Sequence, residues 1–423
     1  MPPAACFVGE KKMTTIAILG GGASGMAAAL AARESLDNRV ILLERQNRVG
    51  RKLLATGNGR CNLTNTTAGP FRYHGEDPGF IGPAMTRFGV EDTLDWFRGL
   101  GLLTRTEPDG RVYPLSDTAG SVLDALRLAM EARGVEVICA FEAARAQREG
   151  GQFVITSSLG DSVSADRLIV ACGGMAGGRL GGTKSGYELL RGFGHRRTAL
   201  RPSLVQLKTE NTWTRAMKGV RTQAELTLEC AGLVAASASG EVQFTEYGVT
   251  GPGVYDLSRA AACAEEGSVL ALRLLPELEK VDIIHYMEEK QSNYPNYKAE
   301  NLFTGALHNS ISRTILRRAE IPLDAKLWAL SYTALDSIAD MLCRFELPLY
   351  GTLGFDAAQV TAGGTETDGF DPETMESRLV PGLYTCGEVL DIDGDCGGFN
   401  LQWAWSSGRL AGLSAAGLLG ADV

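Results

Sequence analysis

The chain has 423 residues, 44% hydrophobic and 22% charged, the composition of a soluble globular protein with two or three domains. Its 41 basic and 50 acidic residues leave a net charge of −9, which disfavours a surface built to follow a phosphate backbone, so no nucleic-acid partner is expected. No run approaches the ~18 apolar residues of a membrane span, and the nine cysteines are scattered with no C-x-x-C pair, so neither a membrane, a disulfide framework nor a metal site is expected, and a reducing cytoplasm is the simpler setting.

The first dozen residues lack the basic start and apolar centre of a secretory signal; they read as a disordered leader, with Met13 a plausible start. From residue 14 to 20 the chain is β-branched and apolar and stops at glycine. Residues 23 to 33 are rich in alanine and leucine, strong helix formers, and residues 39 to 44 form a second apolar run ending in an acid. Strand, helix and strand in about 30 residues begin a parallel sheet. Residues 134–140, 166–172 and 382–386 read as later strands. From about Ser203 to Leu274 the pattern alternates, as in 224–228 and 241–244, which predicts antiparallel strands. From about Pro276 to Cys343 the period is helical, with Leu307, Ile311 and Ile315 on one face and Leu335, Ile338 and Leu342 on another.

Gly20, Gly22 and Gly25 spell G-x-G-x-x-G between the first strand and the first helix. In that motif the first glycine permits a tight turn, the second lets backbone N–H groups approach a pyrophosphate, and the third lets helix and sheet pack closely. The helix N-terminus, opening through Ala23 and Ser24, offers positive partial charge to the phosphates. Glu44 ends the second strand, where a carboxylate accepts hydrogen bonds from ribose hydroxyls. The fingerprint serves NAD and FAD alike.

The next segment is basic, glycine-dense and rich in amides: Arg51-Lys52, then Thr56-Gly57-Asn58-Gly59-Arg60-Cys61-Asn62-Leu63-Thr64-Asn65. It resembles the G-R-K-x-x-x-T-G-x-G-R-C-N-x-T-N stretch of the BaiN-type family of FAD-dependent oxidoreductases, also called YhiN or aminoacetone-oxidase-like. The run from Gly382 through Cys386-Gly387-Glu388 and Asp391 to Gly397-Gly398-Phe399-Asn400-Leu401 and Gly408 resembles the same family, as do residues 110–116 and, less closely, 240–252. The resemblance spans the chain from Thr14 to Gly412. It departs from the usual Ala-Thr-Gly-Gly after a late strand, where this chain has Ala171-Cys172-Gly173-Gly174.

The resemblance implies an α/β fold: a Rossmann-type FAD-binding domain split between the chain ends, with an inserted β-rich, barrel-like domain and a small helical domain. The boundaries expected are 14–196 and 365–423 for the FAD domain, 197–275 with 344–364 for the β-rich substrate domain, and 276–343 for the helices. It implies FAD contacts from Gly20, Gly22, Ala23, Ser24, Gly25, Glu44, Arg45, Arg51, Lys52, Gly57, Gly59, Asn62, Leu63, Thr64, Val137, Ala171, Gly173, Gly387, Glu388, Asp391, Gly398, Phe399, Asn400 and Leu401. Glu388 would meet the ribityl chain, and the amides near Phe399–Leu401 the isoalloxazine, where N–H donors at a helix start suit the negative charge of reduced flavin.

Other candidates have plainer readings. Cys61 has no second cysteine nearby for a dithiol mechanism and reads as packing. Trp403 and Trp405 read as core. His74, His195, His285 and His308 stand in no triad or metal spacing and read as structural or surface, so no general base is evident. Arg196-Arg197 and Arg317-Arg318 read as solvated faces or domain contacts. Tyr247, on a loop of the inserted domain, is the first choice as hydrogen-bond donor to a substrate carbonyl. Three functions stay open: a reductase passing hydride from reduced FAD to a small conjugated carbonyl compound, bile-acid or steroid-like, as one family member does; an oxidase of amines or alcohols that makes peroxide; and a flavoprotein acting in RNA modification or binding without turnover. No second dinucleotide fingerprint follows a strand, so NADH or NADPH as electron donor would dock transiently over the flavin.

Overall fold

The computed structural model of the protein describes residues 13–419, and the expectation for the first dozen residues lies outside them. The chain divides into two compact units: one made of the residues up to Leu200 with those from Thr361 onward, the other of Arg201–Val360.

The first unit is built on five parallel strands. β1 (Thr14–Leu19) is central, flanked by β2 (Asn38–Leu43) and then the short β3 (Glu136–Ile138) on one side. On its other side lie β4 (Arg167–Val170) and β5 (Leu383–Thr385). Register places Ile18 between Leu42 and Ile169, so each central strand is flanked by apolar neighbours, and Ile16, Ile18, Leu42 and Ile169 are buried. A sheet covered on both faces accepts such continuous apolar runs. The fifth strand comes from the far end of the chain and pairs with β4 through Leu168–Leu383 and Val170–Thr385.

Two helices fix this arrangement. α1 (Ala23–Ala32) is buried from Ser24 to Ala32. Against it lies α2 (Phe399–Ala415), whose Gly408 and Gly412 face it. A Cβ on Gly408 would stand 2.4 Å from the carbonyl oxygen of Ser24, and one on Gly412 would stand 2.3 Å from that of Ala28. Alanines on one helix and glycines on the other bring the two backbones into contact, which larger side chains would prevent. A three-stranded meander (residues 143–165) and a small sheet made of Thr64–Asn65, Arg111–Pro114 and Thr104–Thr106 complete this unit.

The second unit holds a closed six-stranded barrel, in the order Leu207–Thr209, Gly248–Thr250, Leu233–Phe244, Arg221–Cys230, Val269–Arg273 and Phe345–Thr352. Alternation along Arg221–Cys230 puts Ala224, Leu226 and Leu228 inside. Helices Lys280–Asn293, Asn309–Arg318 and Tyr332–Cys343 follow the fifth barrel strand in the chain. The helix bearing Ile311 and Ile315 begins at Asn309, capped by the His308 ring that accepts from the Ser310 N–H at 3.1 Å; Leu307 therefore precedes it. Among the described residues no helix is long and apolar enough to cross a membrane.

Candidate active site

The glycine turn between β1 and α1 is shaped by contacts that leave no room for side chains at two of its three motif positions. Gly20 has φ +109°, and a Cβ there would meet the Ala171 carbonyl oxygen at 2.3 Å. A Cβ on Gly25 would lie 1.8 Å from the Gly20 carbonyl oxygen. Gly22 is different. Its φ is −83°, open to any residue, and a Cβ there would meet nothing within 4 Å. The protein itself does not require glycine at this position, whereas a phosphate laid against the backbone at the start of α1, beside Ala23 and Ser24, would.

Glu44 lies at this turn. One carboxylate oxygen accepts the Gly21 N–H at 2.7 Å and the other the Gln46 N–H at 2.7 Å, which holds the group still beside the turn. The two arginines that follow also bond to a neighbouring loop. Arg45 donates to the Gly181 carbonyl at 3.0 Å, and Arg51 donates to Gln46 and, at 3.0 Å, to the Arg179 carbonyl. Together they hold the glycine-rich loop after Gly173, where Gly173, Gly177 and Gly181 all have positive φ. A Cβ on Gly173 or on Gly59 would meet nothing within 4 Å.

Lys52 connects the ends of the chain. Its Nζ lies 2.7 Å from Glu388, whose other oxygen accepts the Thr361 N–H at 2.9 Å. Both partners of this pair are half-buried, so a nearby ligand meets a charge pair in partial desolvation. Gly387, with φ +76°, sits against Ser24, and its N–H donates to Ser407 at 3.0 Å. Asp391 is buried and accepts the Glu76 N–H at 3.1 Å. The segment Thr56–Thr64 curls through Gly57 at φ +56° and Asn58 at φ +55° and ends under α2. There the Asn62 side chain accepts the Val112 N–H at 3.2 Å, the Leu63 carbonyl accepts Trp405 Nε1 at 2.9 Å, and the Thr64 hydroxyl meets Gln402 at 2.5 Å. Gly398, the residue before α2, has φ +104°, and a Cβ on it would be 2.6 Å from the Thr64 carbonyl oxygen. Asn400 clamps Gly394, accepting its N–H at 2.8 Å and donating to its carbonyl at 2.7 Å. Phe399 takes the Tyr73 hydroxyl on its carbonyl at 3.0 Å, and Leu401 follows in the same first turn.

The structure thus brings most of the predicted residues to one margin of the first unit, above the sheet end where β1, β4 and β5 stop. Val137 stands apart on the edge strand β3, beside Leu42 and 40% exposed. Tyr247 belongs to the second unit, half-buried in the turn between strands Leu233–Phe244 and Gly248–Thr250.

The plainer readings match the geometry. Trp403 and Trp405 are buried; Trp403 donates to the Gly387 carbonyl at 3.2 Å, and Trp405 packs edge-on against Phe97. Cys61 is buried, and burial pushes its thiol up to about 12, so no thiolate is available at neutral pH. Burial pushes Cys172 and Cys386 up to about 12 as well. His195 is buried between Phe370, stacked at 4.2 Å, and the Ser377 hydroxyl at 2.9 Å, and burial lowers it to about 4. Arg196 pairs with Glu366 and Asp368, and Arg318 lies over Phe345.

One pairing had no signal in the sequence. His74 Nε2 lies 2.6 Å from Asp395, which also faces Arg72 at 3.4 Å. The separation of 321 positions between His74 and Asp395 hides the pair, which depends on a two-residue ladder between Tyr73–His74 and Asp393–Gly394.

The family described as the HI0933-like protein Rossmann domain matches residues 14–414. The chain is 39% identical over 408 residues to a 3-dehydro-bile acid delta(4,6)-reductase of Clostridium scindens, covering 96% of this chain and 99% of that one. It is 29% identical over 393 residues to a ribosomal RNA dihydrouridine synthase of Escherichia coli, covering 92% and 95%. Among solved structures it is similar to a 3-ketosteroid-delta4-(5alpha)-dehydrogenase of Rhodococcus jostii, with 16% identity, a TM-score of 0.48, and coverage of 98% and 99%. A family match over nearly the whole chain, a relative at this identity and a glycine turn whose middle position is open for a phosphate agree: the chain belongs to the HI0933-like family and is a Rossmann-type, FAD-dependent oxidoreductase.

Proposed function

We propose that the protein is a reductase of carbon–carbon double bonds conjugated to a carbonyl, with 3-oxo bile acids or similar steroids as its substrate class. The observation that carries this is the 39% identity, end to end, to the bile-acid reductase. Bound FAD supplies the hydride.

The chain's own residues do the holding. The turn Gly20–Gly25 and the start of α1 receive the pyrophosphate, with Glu44 at the ribose beside them and Val137 on the adenine side. Arg45 and Arg51, with Ala171 and Gly173, fix the loop that borders that end. Lys52 and Glu388, joined at 2.7 Å, face the ribityl chain, and Asp391 and Gly387 shape the turn that carries them. Gly57, Gly59, Asn62, Leu63 and Thr64, with the first turn of α2 from Gly398 to Leu401, border the ring, where N–H donors favour the electron-rich reduced form. Tyr247 donates a hydrogen bond to the substrate carbonyl. NADH or NADPH provides the electrons.

A second reading has its own observation in the dihydrouridine synthase at 29% identity. Forming dihydrouridine also saturates a double bond conjugated to a carbonyl, so the two readings share their chemistry and differ in what surrounds the reacting ring. A net charge of −9 opposes an RNA backbone and favours the small molecule.

The test begins with purified, yellow protein mixed anaerobically with NADH or NADPH, which bleaches the flavin band near ~450 nm. Adding a 3-oxo-Δ4,6 bile acid restores the band and yields the saturated product. Restoration by a ribosomal RNA fragment and not by the bile acid overturns the substrate assignment. Absence of bleaching with both nucleotides overturns the electron donor.

A further inference from the structure

The reaction proposed above needs a proton as well as a hydride, and none of the residues assigned to cofactor binding supplies one. The pair His74–Asp395 meets the need. Asp395 lies three residues before Gly398, on the loop that enters α2, so the pair belongs to the ring end of the site and not to the adenosine end.

The loop is held without the imidazole. The Asp395 N–H donates to the Arg72 carbonyl at 3.0 Å, the Tyr73 hydroxyl donates to Phe399 at 3.0 Å, Asn400 clamps Gly394, and Asn65 donates to the Gly397 carbonyl at 3.0 Å. A histidine there is not required to fasten the turn. Its own geometry is that of a proton carrier. A carboxylate only accepts, so Nε2 carries a proton toward Asp395 at 2.6 Å and the other nitrogen, Nδ1, points away from the pair. The side chains of His74 and Asp395 are 38% and 23% exposed, which shields the pair in part and leaves the ring open to solvent for reprotonation. The charged groups around it are Arg72, facing Asp395 at 3.4 Å, Asp393 opposite His74 in the ladder, and Glu76 two residues on.

We infer that His74, oriented by Asp395, is the acid that completes reduction of the conjugated double bond. The inference rests on the reductase reading. In the step, the β-carbon of the substrate takes a hydride, with its electron pair, from reduced flavin, and the π bond breaks. The α-carbon takes the proton from Nδ1 of the His74 imidazolium. Flavin returns to its oxidised form, His74 is left neutral with Nε2–H still held by Asp395, and water restores the proton. The reductant that begins the next cycle is a reduced nicotinamide, or dithionite in the test.

The test separates this step from the rest. Wild type, H74Q and D395N are loaded with FAD, reduced with dithionite without oxygen, and mixed in separate syringes with a 3-oxo-Δ4,6 bile acid or with ferricyanide, which takes electrons and no proton to carbon. The expected result for H74Q is full FAD content, wild-type reoxidation by ferricyanide, and reoxidation by the enone slowed about 10²- to 10⁴-fold. In unloaded protein, nitrogen NMR of the His74 ring shows the Nε2–H tautomer in wild type and loses that preference in D395N. An H74Q variant as fast as wild type with the enone overturns the inference alone. So does equal slowing with both acceptors, which would mean that the residue only positions the site. A wild-type protein that the enone does not reoxidise overturns the reductase reading and the inference with it.

Discussion

At the start of α1 a methyl group on Gly22 would meet no atom within 4 Å, and the residue's φ of −83° suits any amino acid. At the start of α2 a methyl group on Gly398 would lie 2.6 Å from the Thr64 carbonyl oxygen, and φ is +104°. Both glycines precede helices that lie against each other, and both read alike in the sequence. One is fixed by the fold and the other by what the fold receives. The difference teaches that glycine at a helix start marks a ligand only where the protein leaves it unconstrained.

Three experiments break or sharpen that contrast, and one probes a buried histidine outside both turns. Gly25→Val, which puts a side chain 1.8 Å from a backbone oxygen within the α1 turn, is expected to destabilise by at least about 4 kcal/mol. Thermal melting of the unloaded protein checks this; a melt like wild type would show that the α1 turn is slack. Gly398→Ala is next, at about 2–3 kcal/mol from a left-handed backbone and a close oxygen. If this variant melts normally and only FAD is lost, the two turns are alike and the contrast fails.

The third experiment touches neither turn. His195 is kept neutral by burial, at about 4 against an ordinary value of 6.5. The unfolded chain takes up this proton as pH falls below about 6.5 and the folded chain does not until about 4, so stability is complete above that window and declines through it. The loss attributable to His195 is about 1–3 kcal/mol, and His195→Gln should flatten that part of a denaturant-midpoint curve against pH. Equal slopes for both proteins would contradict it. The smallest effect on stability belongs to Gly22→Ala, within about 0.5 kcal/mol in unloaded protein, although FAD affinity falls roughly tenfold or more. Normal FAD binding by this variant would return Gly22 to the same class as Gly398.

The parts of the molecule legible in the sequence were those whose signal is local. The run 14–44 gives β1, α1 and β2 within a residue or two because apolar strands and an alanine-rich helix each carry their own periodicity. The alternation of Ala224, Leu226 and Leu228 gives a barrel strand for the same reason. The strand expected at 134–140 shortens to Glu136–Ile138 because it lies at the sheet edge with one neighbour and no cover over Val137. The rest is distant pairing. Lys52 meets Glu388 across 336 residues, and Arg45 and Arg51 reach the carbonyls of Gly181 and Arg179, contacts that no local pattern announces. His74 looks like any surface histidine until Asp395 is laid beside it.

The seam where Gly408 and Gly412 meet the backbone of α1 has a further consequence for synthesis. α1 is apolar on every side, and the face that meets α2 stays uncovered until that helix is made. About 370 residues separate the two, so at about 5–20 residues per second a ribosome leaves α1 waiting for about 20–70 s. By the time α2 emerges, the barrel unit, encoded entirely between the halves, has all of its strands. A chain stopped before Gly408 therefore leaves that face of α1 exposed.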